Sequence, residues 1–121
     1  MVIRRFEEIQ GWQKSRDLVR AIYRLSASGE AGKDFGWRDQ IRRAAISTMS
    51  NIAEGFGRRS DRDFAHYLDT ARGSAIEVQS LLYVALDAGY IQETEFQRIY
   101  FQADEVISLV AGFAGYLRKV R

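Results

Sequence analysis

The chain has 121 residues, neither cysteine nor proline, and a formal net charge of +2. That length points to one domain and allows a hydrophobic core without covalent staples, while the missing cysteine excludes disulfides, thiolate metal sites and thiol catalysis. So small a net charge names no partner; only its distribution can point to nucleic acid.

No apolar run is long enough to span a bilayer. The opening Met-Val-Ile-Arg-Arg-Phe-Glu-Glu holds no signal-peptide core. The expectation is a cytoplasmic chain with no membrane partner. Proline clashes with the preceding helical turn, so its absence permits long unbroken helices.

Apolar spacing predicts four helices. The first covers about Phe6 to Ala27, with Ile9, Trp12, Val19, Ile22 and Tyr23 on one side and Leu18 and Leu25 widening the stripe. Gly29, Gly32 and Gly36 then mark the longest break. The second covers about Arg38 to Phe56, its core face being Ile41, Ala44, Ala45, Thr48, Ile52 and Phe56. Gly55 and Gly57 bracket its end, where a positive φ is expected.

Ser60 opens the third helix, about 61–88, as an N-cap for the amide of Asp63, and Asp61 and Asp63 suit the positive end of the helix dipole. Its buried stripe is Phe64, Tyr67, Leu68, Ala71, Ala75, Val78, Leu82 and Ala85, and Gly89 fits the C′ position with Tyr90 and Ile91 folding back. The fourth helix, about 93–120, starts near a Thr94/Gln97 capping box. Phe96, Ile99, Ala103, Val106, Val110, Phe113, Leu117 and Val120 then recur in steps of three and four, the seam of near-parallel packing. Tyr100, Phe101, Ile107, Leu109 and Tyr116 lie outside that seam. Gly112 and Gly115 each cost about 1 kcal/mol of helix propensity and mark a close helix approach or a frayed end. With short breaks between helices, the fold class is all-α, a single up-down-up-down antiparallel four-helix bundle.

A second, polar stripe runs along the second helix: Gln40, Arg43, Ser47, Asn51 and Glu54. Arg72, Ser74 and Glu77 lie on a comparable flank of the third. Folding back around residues 58–60 brings these flanks together, with an Arg43–Glu77 pair expected between them. Spacing alone leaves two readings open. One is a solvated face with weak surface pairs, each about 0.2–0.5 kcal/mol. The other is a half-buried network that fixes helix register or a subunit interface.

Gln40-Ile41-Arg42-Arg43-Ala44-Ala45, Ser47, Asn51-Ile52-Ala53-Glu54-Gly55 and Gly57-Arg58 resemble one family, as do Phe64, Tyr67-Leu68, Ala71-Arg72-Gly73-Ser74-Ala75 and Glu77. It is the four-helix-bundle family encoded in intervening sequences of bacterial large-subunit (23S) ribosomal RNA genes, which includes the accessory variability determinant of diversity-generating retroelements. The resemblance covers nearly the whole chain, and the Asn-Ile-Ala-Glu-Gly stretch is its most specific part. It implies a homopentameric ring without catalytic activity and, in the accessory-determinant branch, binding to nucleic acid and to a reverse transcriptase. It also favours the network reading of the polar stripe. Met49 stands where the family often has proline, implying a straighter second helix. Thr48 replaces an aliphatic and slightly weakens the core. Trp37-Arg38 replaces Leu-Thr and removes an N-cap side chain.

His66 is the only histidine, so a His-based metal site or triad lacks partners. Glu54 and Glu77 are the candidates for a carboxylate metal site, but the Glu-x-x-His pattern of di-iron bundles does not occur. No cofactor is expected.

In an up-down bundle one end gathers both termini and the turn between the second and third helices. Arg4, Arg5, Arg58, Arg59, Arg62, Arg118, Lys119 and Arg121 there outnumber Glu7, Glu8, Glu54, Asp61 and Asp63. At the opposite end Lys33 and Arg38 are outnumbered by Glu30, Asp34, Asp39, Asp87, Glu93 and Glu95. Helix dipoles alone favour part of this layout. A ring would repeat the basic end in every copy and offer it to phosphate. The expected function is a non-enzymatic homo-oligomeric scaffold, a pentamer by resemblance, whose basic end binds RNA or DNA, with or without a protein partner. The alternatives are an assembly module indifferent to nucleic acid and a carboxylate-metal enzyme.

Overall fold

The computed structural model describes residues 2–119. A 3-10 turn over Phe6–Glu8 leads into α1 (Gln10–Leu25), and a five-residue helix α2 (Gly29–Lys33) follows. Three long helices complete the chain: α3 (Phe35–Phe56), α4 (Asp61–Asp87) and α5 (Glu93–Lys119). The described residues contain no strand. α1 packs on α3 and α5, and α4 packs on the same two helices from the other side. The result is the expected antiparallel four-helix bundle, with α2 an addition inside the glycine break.

The apolar stripes close into two layers of core. Toward the end that carries α2, Leu18, Ile22, Ile41, Val78, Leu82 and Ile99 are fully enclosed. Toward the other end, Ile9, Ile52, Phe64, Leu68, Val106 and Val110 form the second layer, with Phe6, Trp12, Phe56 and Phe113 packed around it. Phe64 links Phe56 and Phe113 through edge-on ring contacts at 6.3 and 5.1 Å. Tyr23, expected in the first stripe, is 39% exposed and lies instead beneath the Arg42 guanidinium at 4.3 Å. Val120 falls outside the described residues.

Helix ends follow their local chemistry. Ser60 Oγ accepts from the Asp63 amide at 3.1 Å, as expected. Gly89 takes φ +80°, and Tyr90 N and Gly89 N donate to the carbonyls of Ala85 and Leu86, which makes a Schellman cap. The Thr94/Gln97 box does not form. α5 already begins at Glu93, so Thr94 lies inside the first turn, and the Gln97 amide reaches Glu93 Oε1 at 3.2 Å. α3 starts earlier than its apolar spacing indicates because Asp34 caps it, its Oδ1 accepting from Trp37 N at 3.2 Å. Trp37-Arg38 therefore does not leave the helix uncapped.

Gly57 adopts φ −77°, so the end of α3 needs no left-handed residue. Gly55 has a different reason to lack a side chain. A β-carbon there would stand 2.7 Å from Tyr67 Cβ and 2.9 Å from Phe64 Cδ1 on α4. α5 continues through Gly112 and Gly115 to Lys119, and a β-carbon at either would meet open space. They mark neither a frayed end nor a close approach within the described chain.

Buried hydroxyls are satisfied within their own helices. Ser15, Ser26 and Thr48, all fully buried, donate to the carbonyls of Gly11, Ile22 and Ala44 at 2.7, 2.7 and 3.0 Å. Thr48 is thus accommodated without an orphaned polar group. α3 runs unbroken past Met49.

Gly55→Ala is expected to destabilise the protein by about 1–3 kcal/mol, the range for overpacking a tight contact. Urea unfolding monitored by circular dichroism measures this, with Gly112→Ala as the neutral or stabilising control.

Candidate functional site: the polar ladder and the basic end

The α3–α4 seam assembles much of the polar stripe. Ser47 and Ser74 hydroxyls meet at 2.9 Å across the seam. Asn51 Nδ2 donates to Ser47 Oγ at 3.0 Å and to Ser47 O at 2.8 Å. With its oxygen accepting from Asn51, the Ser47 hydroxyl is free to donate its own proton to Ser74. One step toward the acidic end, Gln40 Nε2 donates to Glu77 Oε2 at 3.4 Å. Gln40, Ser47, Asn51, Ser74 and Glu77 thus form the ladder.

Arg43, Arg72 and Glu54 stay outside it. The Arg43–Glu77 pair does not form: Arg43 is exposed and makes no ion pair within 4.0 Å among the described residues, while Glu77 takes Gln40 instead. A surface pair returns too little to draw a hydrated guanidinium into the seam. Arg72 is exposed and has no hydrogen bond across the seam. Glu54 turns to Arg58 at 3.7 Å on its own side of the bundle. Glu54 and Glu77 therefore do not converge on a shared ion. Among the described residues no three His, Asp or Glu side chains gather as a metal site.

Four further ties were not anticipated from the residues. Arg42 Nε donates to Ser26 Oγ at 2.7 Å and its NH2 group to Ser26 O at 3.2 Å, binding α3 to the end of α1. Gln79, 7% exposed, donates to Asp104 Oδ1 at 2.7 Å and to Tyr100 O at 3.3 Å, tying α4 to α5. Its place four residues after Ala75 and three before Leu82, on the apolar stripe, was the available clue. At the acidic end, Asp34 Oδ2 accepts from Tyr90 OH at 2.6 Å, and Trp37 Nε1 donates to Leu81 O at 2.9 Å. The bond from Tyr90, followed by that from the Trp37 amide, holds the Asp34 carboxyl below its usual range, while the same bond raises the Tyr90 phenol.

The basic residues gather as the topology requires. Ile3, the turn at residues 58–61 and the last turns of α5 line one cleft of about 370 Å³. A neighbouring hollow is formed by Asp61, Arg62, His66, Leu117 and Arg118. Several of these cations are already engaged. Arg5 meets Glu7 at 3.2 Å. Arg58 contacts Glu54, donates to Tyr67 OH and lies 4.7 Å from the Tyr67 ring. Arg118 forms a two-pronged bond with Asp69 at 2.5 and 3.3 Å. This bond, opposed by partial burial, lowers the Asp69 carboxyl below its usual range, and it raises Arg118. Asp69 is thus a further acid at this end, and Arg118 is less available than its position suggested. Arg4, Arg59, Arg62 and Lys119 are exposed, and their side chains make no ion pair among the described residues. Arg121 lies outside the described residues. Among the described residues no helix is long and apolar enough to cross a membrane.

Fold and site together define an antiparallel helical bundle with a largely neutral hydrogen-bonded seam and a cluster of cations at one end. Residues 7–112 match the 23S rRNA-intervening sequence protein family, and the chain belongs to that family. The resemblance carried by Asn51-Ile52-Ala53-Glu54-Gly55 is borne out. A solved structure of a protein of unknown function from the S23 ribosomal protein family of Bacteroides thetaiotaomicron is similar in fold. Its TM-score is 0.78 at 24% identity, covering 86% of this chain and 97% of that one. No curated protein matches.

A double-mutant cycle of Ser47→Ala and Ser74→Ala is expected to give a coupling energy of about 0.5–1.5 kcal/mol, read from urea unfolding. The Asp34–Tyr90 tie predicts a pH window. The depressed carboxyl contributes stability above its unfolded pKa and loses it as pH falls through the lower folded value; the raised phenol contributes below its unfolded pKa and loses it as pH rises through the higher folded value. The stability difference between wild type and Tyr90→Phe should therefore be greatest near neutrality and shrink in acid and strong alkali. Thermal unfolding across pH checks this.

Proposed function

We propose that this chain is a non-catalytic, cytoplasmic scaffold that assembles into a homo-oligomeric ring, a pentamer by the family resemblance, and holds RNA or DNA on its basic end. The observation that carries the reading is Arg62. It lies in the first turn of α4, where the helix dipole disfavours a cation, and it makes no ion pair among the described residues. Cations near the ends of α3 and α5 gain from the dipole, so they would belong there without a ligand. Arg62 has no such local reason. At the same end of the bundle are Arg59, Arg4 and Lys119, also exposed and without ion pairs among the described residues. A guanidinium matches phosphate in a planar, two-pronged geometry, and repetition around a ring would extend the basic surface. Contacts to phosphate carry no sequence information, so this surface fits binding by shape and charge.

A second reading, an assembly module that ignores nucleic acid, is favoured by a different observation. Ile46, Ile76, Tyr83, Val84 and Phe101 are 40–62% exposed on the long helices. They suit association between proteins rather than phosphate binding.

Binding to a structured RNA, followed by fluorescence anisotropy across a salt series, separates the two readings. On the proposed function affinity falls steeply with salt. Arg59→Gln and Arg62→Gln should each reduce the log–log slope by about 0.7–0.9, while Arg118→Gln changes it less because Asp69 already neutralises that side chain. No binding at low salt, or affinity flat with ionic strength, would sink the proposal. Light scattering before and after nuclease treatment reports whether assembly depends on nucleic acid.

A further inference from the structure

The cleft at the basic end is not a plain charged surface. It is lined by Phe56, Phe113 and Tyr116 together with Arg58, Arg59 and Ser60. Tyr116 is 42% exposed, and Phe56 and Phe113 are half-buried. Phe113 and Tyr116 lie 6.4 Å apart with their rings inclined by 41°. Phe56 and Phe113 also pack on the core, so the ring open to a ligand is Tyr116, which attraction to the outside of a duplex would not need.

We propose that this cleft seats one unpaired nucleotide, so that the basic end binds single-stranded or looped nucleic acid in preference to a duplex. The inference rests on the function proposed above and specifies its ligand. A cleft of about 370 Å³ falls within the range of small-ligand sites, about 300–1,000 Å³. Aromatic walls with arginines at the mouth are what a splayed base and its phosphate require. The base stacks on a ring, and the phosphate stays at the charged, hydrated rim. In a duplex the bases are already stacked on each other and cannot enter without being flipped out.

The charges orient the nucleotide. Asp61 also lines the cleft and would repel a phosphate on its side. Arg59 has no ion pair among the described residues, whereas Arg58 is shared with Glu54 and Tyr67. The phosphate therefore belongs at Arg59, with the base turned inward toward Tyr116. Stacking accepts any base, so little base preference is expected.

The test compares a fluorescent oligouridylate with an RNA duplex of equal charge. The full chain is used as wild type, Tyr116→Leu, Tyr116→Phe and Arg59→Gln. Tyr116 is partly exposed and makes no hydrogen bond among the described residues, so its replacement by leucine should leave the fold intact; circular dichroism checks this. The expected result is tighter binding of the single strand by wild type and a loss of about tenfold in Tyr116→Leu. Tyr116→Phe should keep wild-type affinity, and Arg59→Gln should weaken the single strand. Equal binding of strand and duplex, or salt-sensitive binding unchanged by Tyr116→Leu, would overturn the nucleotide cleft and leave the proposed function standing. The second result is also what a cleft filled by a protein side chain would give. Failure of wild type to bind either RNA at low salt would remove both.

Discussion

At Gly55 the backbone of α3 lies so near α4 that no β-carbon fits between it and Tyr67. On α4 the seam-facing side carries small residues too, Ala71, fully buried, and Ser74, which meets Ser47. Small residues let two helices approach closely, and that approach brings short side chains within reach of each other. The Ser47–Ser74 contact at 2.9 Å follows from it. A wider seam would leave these hydroxyls apart and in need of water.

The seam handles polarity by satisfying groups locally. Thr48 and Ser15 bond to their own helices, and Asn51 bonds to Ser47. Neutral groups of this kind carry a modest desolvation penalty, whereas a guanidinium drawn into the same place would carry several kcal/mol. Arg43 and Glu77 are both exposed, and a pair between two solvated groups contributes too little to hold them together. Arginine enters the body of the bundle only where fixed acceptors await it, as Arg42 does at the end of α1. Arg4, Arg59, Arg62 and Lys119 stand at the pole formed by the α3–α4 turn, the N-terminal segment and the end of α5, and the other exposed cations are spread along the helices.

Much of this was legible in the residues. Apolar periodicity fixed the four long helices, and local chemistry identified the Ser60 cap and the Gly89 turn. What escaped depended on distances between elements. Asp34 as the cap of α3 was hidden because the expected helix began near Arg38, and its second oxygen is committed to Tyr90 from a distant turn. Gly55 looked like a helix terminator, yet its φ-independent role lies in the approach of α4, which no local pattern encodes. Asp69 was left out of the charge account because its partner, Arg118, is 49 positions away. In the ladder, spacing selected the correct face but could not rank Gln40 over Arg43 as the partner of Glu77. That choice lies between weak, solvated contacts of similar strength.

The lateral apolar side chains Ile46 and Ile76 lie away from the basic pole, although Arg43 and Arg72 stand within one helical turn of them, and this layout bears on any assembly. Ile46 and Ile76 lie along the lateral surfaces of α3 and α4, while Arg59, Arg62 and Lys119 stand at the pole. Side-by-side packing of copies would cover the lateral side chains and leave every basic pole open, bringing like charges nearer around a common axis. Such crowding is unfavourable among neighbouring bundles unless an anion lies between them, since like charges repel across the Debye length of about 8–10 Å. On the proposed function, a phosphate backbone would supply that anion. Assembly and nucleic-acid binding at this pole would then strengthen each other, whereas end-to-end packing would oppose the two by burying the cations against a second copy.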